Sequence, residues 1–318
     1  NTNPSIRILL MSATINATCF AKYFGDCPII EVEGRLFPVQ DFYLEDVVDS
    51  TRYALDPGSC FANRKALQTP IPNALERLRG AYRPATIETL HLMDHARINY
   101  DLIELLLRQI MEKPGRDGAV LVFLPGLAEI QSLHEHLMDS SFGFSNPTKY
   151  TIFTLHSLLS PQDQCQVFRP VPRGVQKLVL ATNVAETSIT IPDVSVVIDT
   201  GRMKEVRYDP ASRMSSLVEC WVSRANANQR RGRAGRVRSG VAYHLFTKET
   251  FETQMDSFQQ PEILRVPLDD ICLQIKILNL GGCADFLAQA LQPPSAEAVD
   301  KALQTLVAIN ALDSKERL

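Results

Sequence analysis

The chain has 318 residues, a formal net charge of -3 at pH 7 and 45% hydrophobic residues. This composition is typical of a globular protein with enough apolar side chains for a full core. It excludes a protein that is basic over its whole surface, so any nucleic-acid binding must come from a local patch. The length predicts two domains, with one or three as alternatives.

The cysteines indicate a reducing environment. They are odd in number, and no two of them form a CxxC pair. They are scattered over the chain, at Cys19, Cys27, Cys60, Cys165, Cys220, Cys272 and Cys283. We therefore expect neither a disulfide framework nor a metal site in this chain. A cytoplasmic location is predicted, with the nucleus as the alternative. There is no membrane-spanning run and no signal peptide, so no membrane partner is expected.

The first 38 residues predict a strand, a helix, a second strand and a turn-rich connector, at Ile6–Met11, Asn16–Phe24, Cys27–Val32 and Gly34–Pro38. The first apolar run leads into Ser12-Ala13-Thr14. A strand buried on both faces and ending in small hydroxyl residues is typical of a parallel sheet. Because the chain starts almost directly in this pattern, we expect it to be a segment of a longer protein. The connector predicts a domain boundary.

The next stretch opens with the alternating pattern Val39–Leu44, which predicts a strand. Residues 56–84 are rich in Pro, Gly, Asn and Arg and have weak periodicity. They predict an inserted loop whose function the sequence does not indicate.

From Asn99 the sequence alternates between helix and strand patterns. The predicted helices are Tyr100–Met111, Leu127–Met138 and Pro161–Phe168, and the predicted strands are Ala119–Leu124, Tyr150–Leu155, Lys177–Ala181 and Val194–Asp199. Strands that alternate with such helices predict parallel crossovers and a doubly wound α/β sheet.

Three of these strands end in small or polar pairs, at Pro125-Gly126, His156-Ser157 and Thr182-Asn183. Functional groups of parallel sheets collect at the carboxyl ends of strands. Each pair alone is weak, since Pro-Gly is usually a turn, but together they predict a shared crevice.

After Asp199 the pattern changes to two strand-like runs around Asp209-Pro210, which predict a β-hairpin. The hairpin carries Arg202, Lys204, Arg207 and Arg213. A last strand at Val241–Phe246, an amphipathic helix at Leu268–Leu278 and a helix capped by Ser295 follow, with Val299, Ala302, Leu303 and Leu306 facing inward. This final part is too short for a domain, so we expect the start of one.

The stretch Gln229–Arg236 reads QRRGRAGR, and neither Asp nor Glu occurs between Glu219 and Glu249. So many arginines repel one another unless an anion balances them. On helical spacing Gln229, Arg233 and Arg236 share one face. Gly232 and Gly235 would let a partner approach the backbone. Paired guanidinium donors suit a polyphosphate, and the alternative is a solvated basic helix.

Four strings now occur in the order expected of superfamily 2 helicases: Ser12-Ala13-Thr14, LVFLPG at Leu121–Gly126, ATNVAETSITI at Ala181–Ile191 and QRRGRAGR. Their wording and spacing resemble the DEAH/RHA-type RNA helicases almost from end to end. RINYDLI, LPGLAEIQ, IDTGRMKE and PEILRVPL resemble the RHA-like subgroup most, which includes a ribosome-associated member that acts in translation initiation.

The resemblance implies a RecA-like sheet with an inserted hairpin and three parts. Residues 1–38 would end a first RecA-like domain, 39–280 would form the second, and 281–318 would begin a winged-helix domain. No GxxxxGK[ST] and no DExH string occurs here. The parent protein would thus hydrolyse ATP with Mg²⁺ held by the missing first domain, and would unwind RNA, whereas this segment alone should be inactive.

For the nucleotide, the resemblance implies that Arg233 and Arg236 are arginine fingers and that Gln229 orients the attacking water or contacts the γ-phosphate. Phe168 would stack on the adenine, with a plain core phenylalanine as the alternative. Ser188, Thr190 and Asp193 would lie near the nucleotide. Arg230 and Arg231 would point elsewhere and serve the structure.

For RNA, the resemblance implies backbone contacts from Gly126, Ser157, Thr182 and Asn183, and from Lys204 and Arg207 of the hairpin. Such contacts carry little sequence specificity. Ser12 and Thr14 would couple hydrolysis to domain movement. The expected partners are RNA, the ribosome or another ribonucleoprotein, and the remaining domains of the parent. The alternatives are a non-enzymatic RNA- or ribosome-binding scaffold and a DNA helicase.

Overall fold

The computed structural model describes residues 7–11, 17–32, 37–113, 118–187, 189–209, 214–313 and 316–318. Ser12, Thr14, Ser188 and Arg213 lie outside these ranges, and so do the predictions that fall on them. The chain divides into two compact units. One comprises residues 34–204 and 219–259, and the other comprises 1–33, 205–218 and 260–318. The predicted boundaries after residues 38 and 280 stay predictions.

The described part of the first unit is built on a six-stranded sheet with the order β1-β8-β5-β2-β4-β3, in which all neighbouring pairs are parallel. The strands are β1 Val39–Phe42, β2 Ala119–Phe123, β3 Tyr150–Leu155, β4 Gln176–Ala181, β5 Val194–Asp199, β6 Arg202–Asp209, β7 Met214–Trp221 and β8 Gly240–His244. Strands β6 and β7 form a separate two-stranded sheet. The predicted doubly wound α/β sheet with an inserted hairpin is confirmed.

Both faces of the sheet are covered, which explains the continuous apolar runs of its central strands. Along β2, Val120 and Val122 join one buried cluster, whereas Leu121 and Phe123 join the other. Successive side chains of a strand point to opposite faces, so one short apolar run supplies two cores.

The α-helices of the described residues are α1 Ala17–Tyr23, α2 Leu44–Thr51, α3 Asn73–Glu76, α4 Pro84–Leu92, α5 Tyr100–Met111, α6 Leu127–Asp139, α7 Pro161–Gln164, α8 Val184–Thr187, α9 Arg224–Arg231, α10 Asp269–Ile277, α11 Cys283–Leu287 and α12 Ala296–Ala308. Short 3₁₀ turns lie at Arg64–Gln68, Cys165–Phe168 and Glu262–Leu264, and a π-helical turn lies at Thr250–Gln254. No helix within the described ranges is long and apolar enough to cross a membrane.

Two helices begin directly after a side chain that caps their first turn. Asn99 precedes α5, and its side chain accepts a hydrogen bond from the backbone N–H of Leu102 at 3.0 Å. Ser295 caps α12 in the same way through Ala298 at 3.2 Å. Such caps satisfy backbone donors that a helix leaves free at its first turn. The predicted cap at Ser295 and the buried stripe of α12 are confirmed.

The predicted strands at Ile6–Met11 and Cys27–Val32 are wrong for every residue that is described there. Residues 7–11 and 27–32 have no regular structure, and Ile8 and Ile30 are 72% and 84% exposed. A strand that is buried on both faces needs neighbouring strands on a sheet, and neither segment joins a sheet within the described residues. The helix between them is confirmed.

The predicted loop at 56–84 contains short helical turns, and α2, which the sequence analysis missed, precedes it. Thr86 anchors the end of this region by donating a hydrogen bond to Asp49 of α2 at 2.7 Å. Leu90 of α4 then packs into the same core as α5.

Candidate functional site

The arginine stretch Gln229–Arg236 begins in α9 and continues into the turns that follow this helix. Ser223 caps α9 by accepting a hydrogen bond from the N–H of Asn226 at 3.2 Å, and the helix ends at Arg231, with Gly232 as its C-cap. The prediction that Gln229, Arg233 and Arg236 share one helical face is therefore wrong, because two of the three lie in the turns after the helix.

Arg230 is fully buried and ion-paired. Its Nε lies 2.9 Å from Oε2 of Glu186, and its Nη1 lies 2.8 Å from Oδ1 of Asp199. The guanidinium also lies 4.9 Å from the ring centroid of Phe123. Burial opposes its charge, but Asp199 and Glu186 outweigh burial and raise the pKa of Arg230.

Arg231 points to the other side of α9. Its Nε donates to both carboxylate oxygens of Asp41 in β1 at 2.7 Å, and His244 of β8 lies 3.1 Å from the same carboxylate. Burial alone would raise the pKa of Asp41, but the hydrogen bonds with His244 and Arg231 lower it. These contacts agree with the prediction that Arg230 and Arg231 serve the structure.

Arg233 and Arg236 have different surroundings. Arg233 is 7% exposed, and its guanidinium donates to the carbonyl oxygens of Glu186 and of Ile189, the latter at 2.9 Å. Arg236 is exposed and donates to the hydroxyl of Thr190 at 2.5 Å. Burial and repulsion from Arg236 lower the pKa of Arg233 to about 10, so it stays protonated at neutral pH.

The two glycines of the stretch differ. A Cβ on Gly235 would lie 2.6 Å from the carbonyl oxygen of Phe37 and 2.6 Å from Val39, so β1 fills the space beside it. A Cβ on Gly232 would meet only carbonyls of its own helix at 3.4 Å. The glycines were predicted to let a partner approach the backbone. At Gly235 the space is instead filled by Phe37 and Val39 of this chain.

The other predicted nucleotide residues are partly exposed. Gln229 is half-buried in the last turn of α9, and Phe168 ends a 3₁₀ turn with 41% of its surface exposed. Asp193 accepts hydrogen bonds from Nζ of the buried Lys177 at 3.1 and 3.2 Å. This ion pair already engages the Asp193 carboxylate, so its contact with a nucleotide stays a prediction.

The residues that were predicted to contact RNA and those that were predicted to contact the nucleotide lie at opposite edges of the sheet. Gly126, Ser157 and Thr182 follow the carboxyl ends of β2, β3 and β4. By contrast, Asp193 directly precedes β5, and Gly235 packs on the start of β1. Since the strands are parallel, the arginine turn lies at the amino edge. The rule that functional groups collect at the carboxyl ends of parallel strands predicted only the residues for RNA.

At the carboxyl edge, Gly126 is the N-cap residue of α6, and Lys204 reaches it from β6. Nζ of Lys204 lies 2.7 and 2.8 Å from the carboxylate oxygens of Glu129. Ser157 and Asn183 are exposed, whereas Thr182 is 8% exposed and its N–H donates to Leu155 at 3.0 Å.

On the hairpin, Arg207 lies 2.9 Å from the buried carboxylate of Glu205. Its contact with RNA would have to compete with this ion pair. Arg202, which was predicted on the hairpin, has a contact that the sequence did not indicate: its guanidinium stacks 3.5 Å from the ring centroid of Trp221. Its Nη2 donates to the carbonyl oxygen of His95 at 2.6 Å.

The acids that neutralise the arginine stretch were missed as well. Glu186, Asp199 and Asp41 lie 44, 31 and 190 residues from their arginine partners. The absence of acids between 219 and 249 indicated that partners must come from elsewhere, but it did not identify them. The described residues contain no group of three or more His, Cys, Asp or Glu side chains that could hold a metal ion.

Comparisons with known proteins agree with this arrangement. Residues 101–238 match the family described as the helicase conserved C-terminal domain. The chain is 43% identical over 333 residues to the ATP-dependent DNA/RNA helicase DHX36 of Bos taurus, covering 99% of this chain and 33% of that protein. It is also 43% identical to the human ATP-dependent RNA helicase DHX29, over 98% of this chain and 24% of that protein.

Among solved structures, the Escherichia coli DEAH/RHA helicase HrpB superposes with a TM-score of 0.69 at 28% identity, over 97% of this chain and 32% of that chain. The fold is therefore RecA-like, and the site combines a helicase arginine turn with polar strand ends. Together these findings support a segment of a DEAH/RHA-type helicase of superfamily 2 that carries the helicase conserved C-terminal domain. It spans a third or less of the length of the curated relatives named above.

Proposed function

We propose that the whole protein is an ATP-dependent RNA helicase, and that this chain supplies its arginine fingers and part of its RNA-binding surface. It would couple ATP hydrolysis to unwinding RNA or remodelling a ribonucleoprotein. The relatives that match this chain over nearly its whole length are named ATP-dependent helicases.

The proposal depends on one observation: the arginines of the stretch QRRGRAGR differ in whether a carboxylate pairs with them. Arg230 and Arg231 are ion-paired with carboxylates. Within the described residues no carboxylate pairs with Arg233 or Arg236, which are bound by carbonyl and hydroxyl oxygens only. Two neighbouring cations without a carboxylate partner favour an external anion such as a phosphate.

Phosphoryl transfer depends mostly on positioning and on charge stabilisation. Arg236 is exposed, so it can reach the γ-phosphate of ATP held by another domain of the protein. Arg233 would join it by exchanging its carbonyl partners for phosphate oxygens. Gln229, beside them at the end of α9, would orient the attacking water.

For the rest of the nucleotide, Phe168 offers a ring that is 41% exposed, and the next residue, Arg169, accepts a hydrogen bond from Lys177 near the start of β4. A base can stack on the Phe168 ring without a fixed hydrogen-bond pattern, which favours weak discrimination among nucleobases. Thr190 would release Arg236 to the phosphate, and Ser188 and Asp193 would border the same site. Mg²⁺ would be held by residues outside this chain.

RNA would run along the carboxyl edge past Gly126, Ser157, Thr182 and Asn183. The N–H groups at the start of α6 and the small hydroxyl and amide groups there suit phosphate oxygens rather than bases. Lys204 would add charge once the phosphate competes with Glu129. We propose a cytoplasmic location and the small ribosomal subunit as the RNA partner, which crosslinking to ribosomal RNA would test.

The test uses the full-length protein with a short duplex that carries a single-stranded RNA tail. We expect RNA-stimulated ATP hydrolysis and strand separation that requires hydrolysable ATP. RNA binding with neither activity would instead indicate the scaffold, which the comparisons do not favour. Unwinding of DNA but not of RNA would contradict the choice of substrate.

A further inference from the structure

Residues 57–83 lie within the insertion that was predicted at 56–84, and they are strongly basic. The segment contains five basic residues and one acid, whereas the whole chain carries a net charge of -3. The basic residues are Arg64, Lys65, Arg77, Arg79 and Arg83. A basic segment in an acidic chain concentrates positive potential in one place, which is the electrostatic footprint of a surface that binds nucleic acid.

The first part of this insertion is held against the end of α4. The N–H of Asn63 donates a hydrogen bond to the carbonyl oxygen of Leu92 at 2.8 Å, and the N–H of Asp94 donates one to the carbonyl oxygen of Phe61 at 2.8 Å. These backbone bonds fix the insertion on a helix of the unit that contains the six-stranded sheet. A fixed support lowers the ordering cost that a binding surface has to overcome.

Arg64 and Lys65 are exposed cations on this support. They begin the 3₁₀ turn Arg64–Gln68, in which Ala66 is buried and its carbonyl oxygen lies 2.9 Å from Nε2 of His91. A carbonyl oxygen only accepts, so Nε2 of His91 carries the proton and donates it. No carboxylate within the described residues pairs with Arg64 or Lys65, so both charges can meet an external anion.

The other basic residues of the insertion differ in their partners. Arg77 is exposed and also lacks a carboxylate partner within the part of the chain that the structure describes. Arg79 and Arg83 form ion pairs, at 2.5 Å with Glu76 and at 3.0 Å with Asp49. These pairs are solvent-exposed and therefore weak, so a phosphate can compete for them.

The insertion reaches the carboxyl edge of the sheet, where the RNA is proposed to run. The carbonyl oxygen of Cys60 accepts a hydrogen bond from Nη1 of Arg97 at 3.1 Å. Two residues before Arg97, the carbonyl oxygen of His95 accepts one from Nη2 of Arg202 at 2.6 Å. Arg202 follows the carboxyl end of β5. Arg97 and Arg202 thus continue the basic surface from the insertion to the edge of the sheet.

We propose that Arg64 and Lys65, continued by Arg97, form an accessory surface that binds the phosphate backbone of RNA beyond the strand ends of the sheet. The inference rests on the proposed function, because it assumes that RNA lies at the carboxyl edge. Guanidinium and ammonium groups bind phosphate oxygens and leave the bases unread, so the surface adds affinity without sequence preference. Such cations also suit an acidic protein, but their continuity with the proposed RNA edge favours RNA.

The experiment measures how tightly the full-length protein binds a labelled single-stranded RNA by fluorescence anisotropy, without nucleotide and at several salt concentrations. Each phosphate contact to a single strand contributes about 0.7 to the slope of log affinity against log salt. In the double variant Arg64→Gln, Lys65→Gln we expect this slope to become shallower by about 1.4 and the affinity to fall roughly tenfold. Thermal unfolding should stay unchanged, because both side chains are exposed and unpaired.

The matched control is the double variant Lys149→Gln, Arg173→Gln, which removes the same charge. Both residues are exposed and directly precede β3 or lie in the loop before β4, at the amino edge of the sheet. RNA affinity and salt slope should therefore equal those of the unchanged protein. The single variant Arg64→Lys keeps the charge and should also bind RNA like the unchanged protein.

Two results would overturn the proposal. An unchanged affinity and salt slope in Arg64→Gln, Lys65→Gln would leave an acidic protein as the partner of this surface. Equal losses in the two double variants would mean that only the total charge matters. If the unchanged protein binds no RNA, the proposed function itself fails, whereas RNA binding and unwinding that ignore Arg64 and Lys65 would refute the accessory surface alone.

Discussion

Replacing Arg230 with methionine should destabilise the sheet unit far more than the same change at Arg231. Arg230 is fully buried and lies between the buried carboxylates of Glu186 and Asp199. Methionine preserves much of the volume but none of the charge, so both carboxylates would be left buried without their cation.

The expected cost follows from that burial. Removing one partner of a buried ion pair typically costs about 3–5 kcal/mol, because an uncompensated charge stays in a low-dielectric interior. Arg231 and Asp41 are 36% and 30% exposed, so water screens their interaction. The loss of such a pair typically costs about 0–1 kcal/mol.

Urea unfolding followed by tryptophan fluorescence measures the difference directly. Trp221 is the one tryptophan of this chain, and it lies against Arg202 within the sheet unit. Equal free energies of unfolding for Arg230→Met and Arg231→Met would refute the reasoning, because they would mean that the buried ion pairs contribute no more than the exposed one.

Three further outcomes are expected. Phe168→Ala should raise KM for ATP roughly fivefold and leave kcat unchanged in steady-state assays, because a lost stacking contact costs about 1 kcal/mol, whereas Phe168→Tyr should be neutral. Gly235→Ala should lower the free energy of unfolding by about 1–3 kcal/mol, because its Cβ would overlap Phe37. Gly232→Ala should leave that free energy unchanged or raise it, and equal effects of the two variants in thermal unfolding would contradict this expectation. Chelating Mg²⁺ should stop ATP hydrolysis without changing the unfolding of this chain, since its described residues hold no metal cluster; a lower unfolding temperature would contradict this.

The sheet was predictable because its strands carry their own signal. Continuous apolar runs such as β2 and β5 are buried on both faces, and the helices between them show periodic stripes. The same apolar signal at Ile6–Met11 misled the prediction. A hydrophobic run indicates that a segment can be buried, but not that hydrogen-bonded neighbours are present.

The site was predictable in type but not in geometry. QRRGRAGR indicated a polyphosphate, yet α9 ends at Arg231, so Arg233 and Arg236 lie in the turns that follow the helix. The partners of Arg230 come from distant parts of the chain, so no local pattern identifies them. Tertiary packing, rather than spacing, decides which arginines are neutralised.

The central claim is tested most directly by Arg236→Ala in the full-length protein. Arg236 is exposed and bonded to a hydroxyl, so its removal leaves no buried carboxylate unpaired. RNA-stimulated ATP hydrolysis should fall by about 10³-fold or more, as for the loss of an arginine finger. RNA affinity and thermal stability should remain unchanged in this variant. Hydrolysis at the unchanged rate in Arg236→Ala would contradict the account.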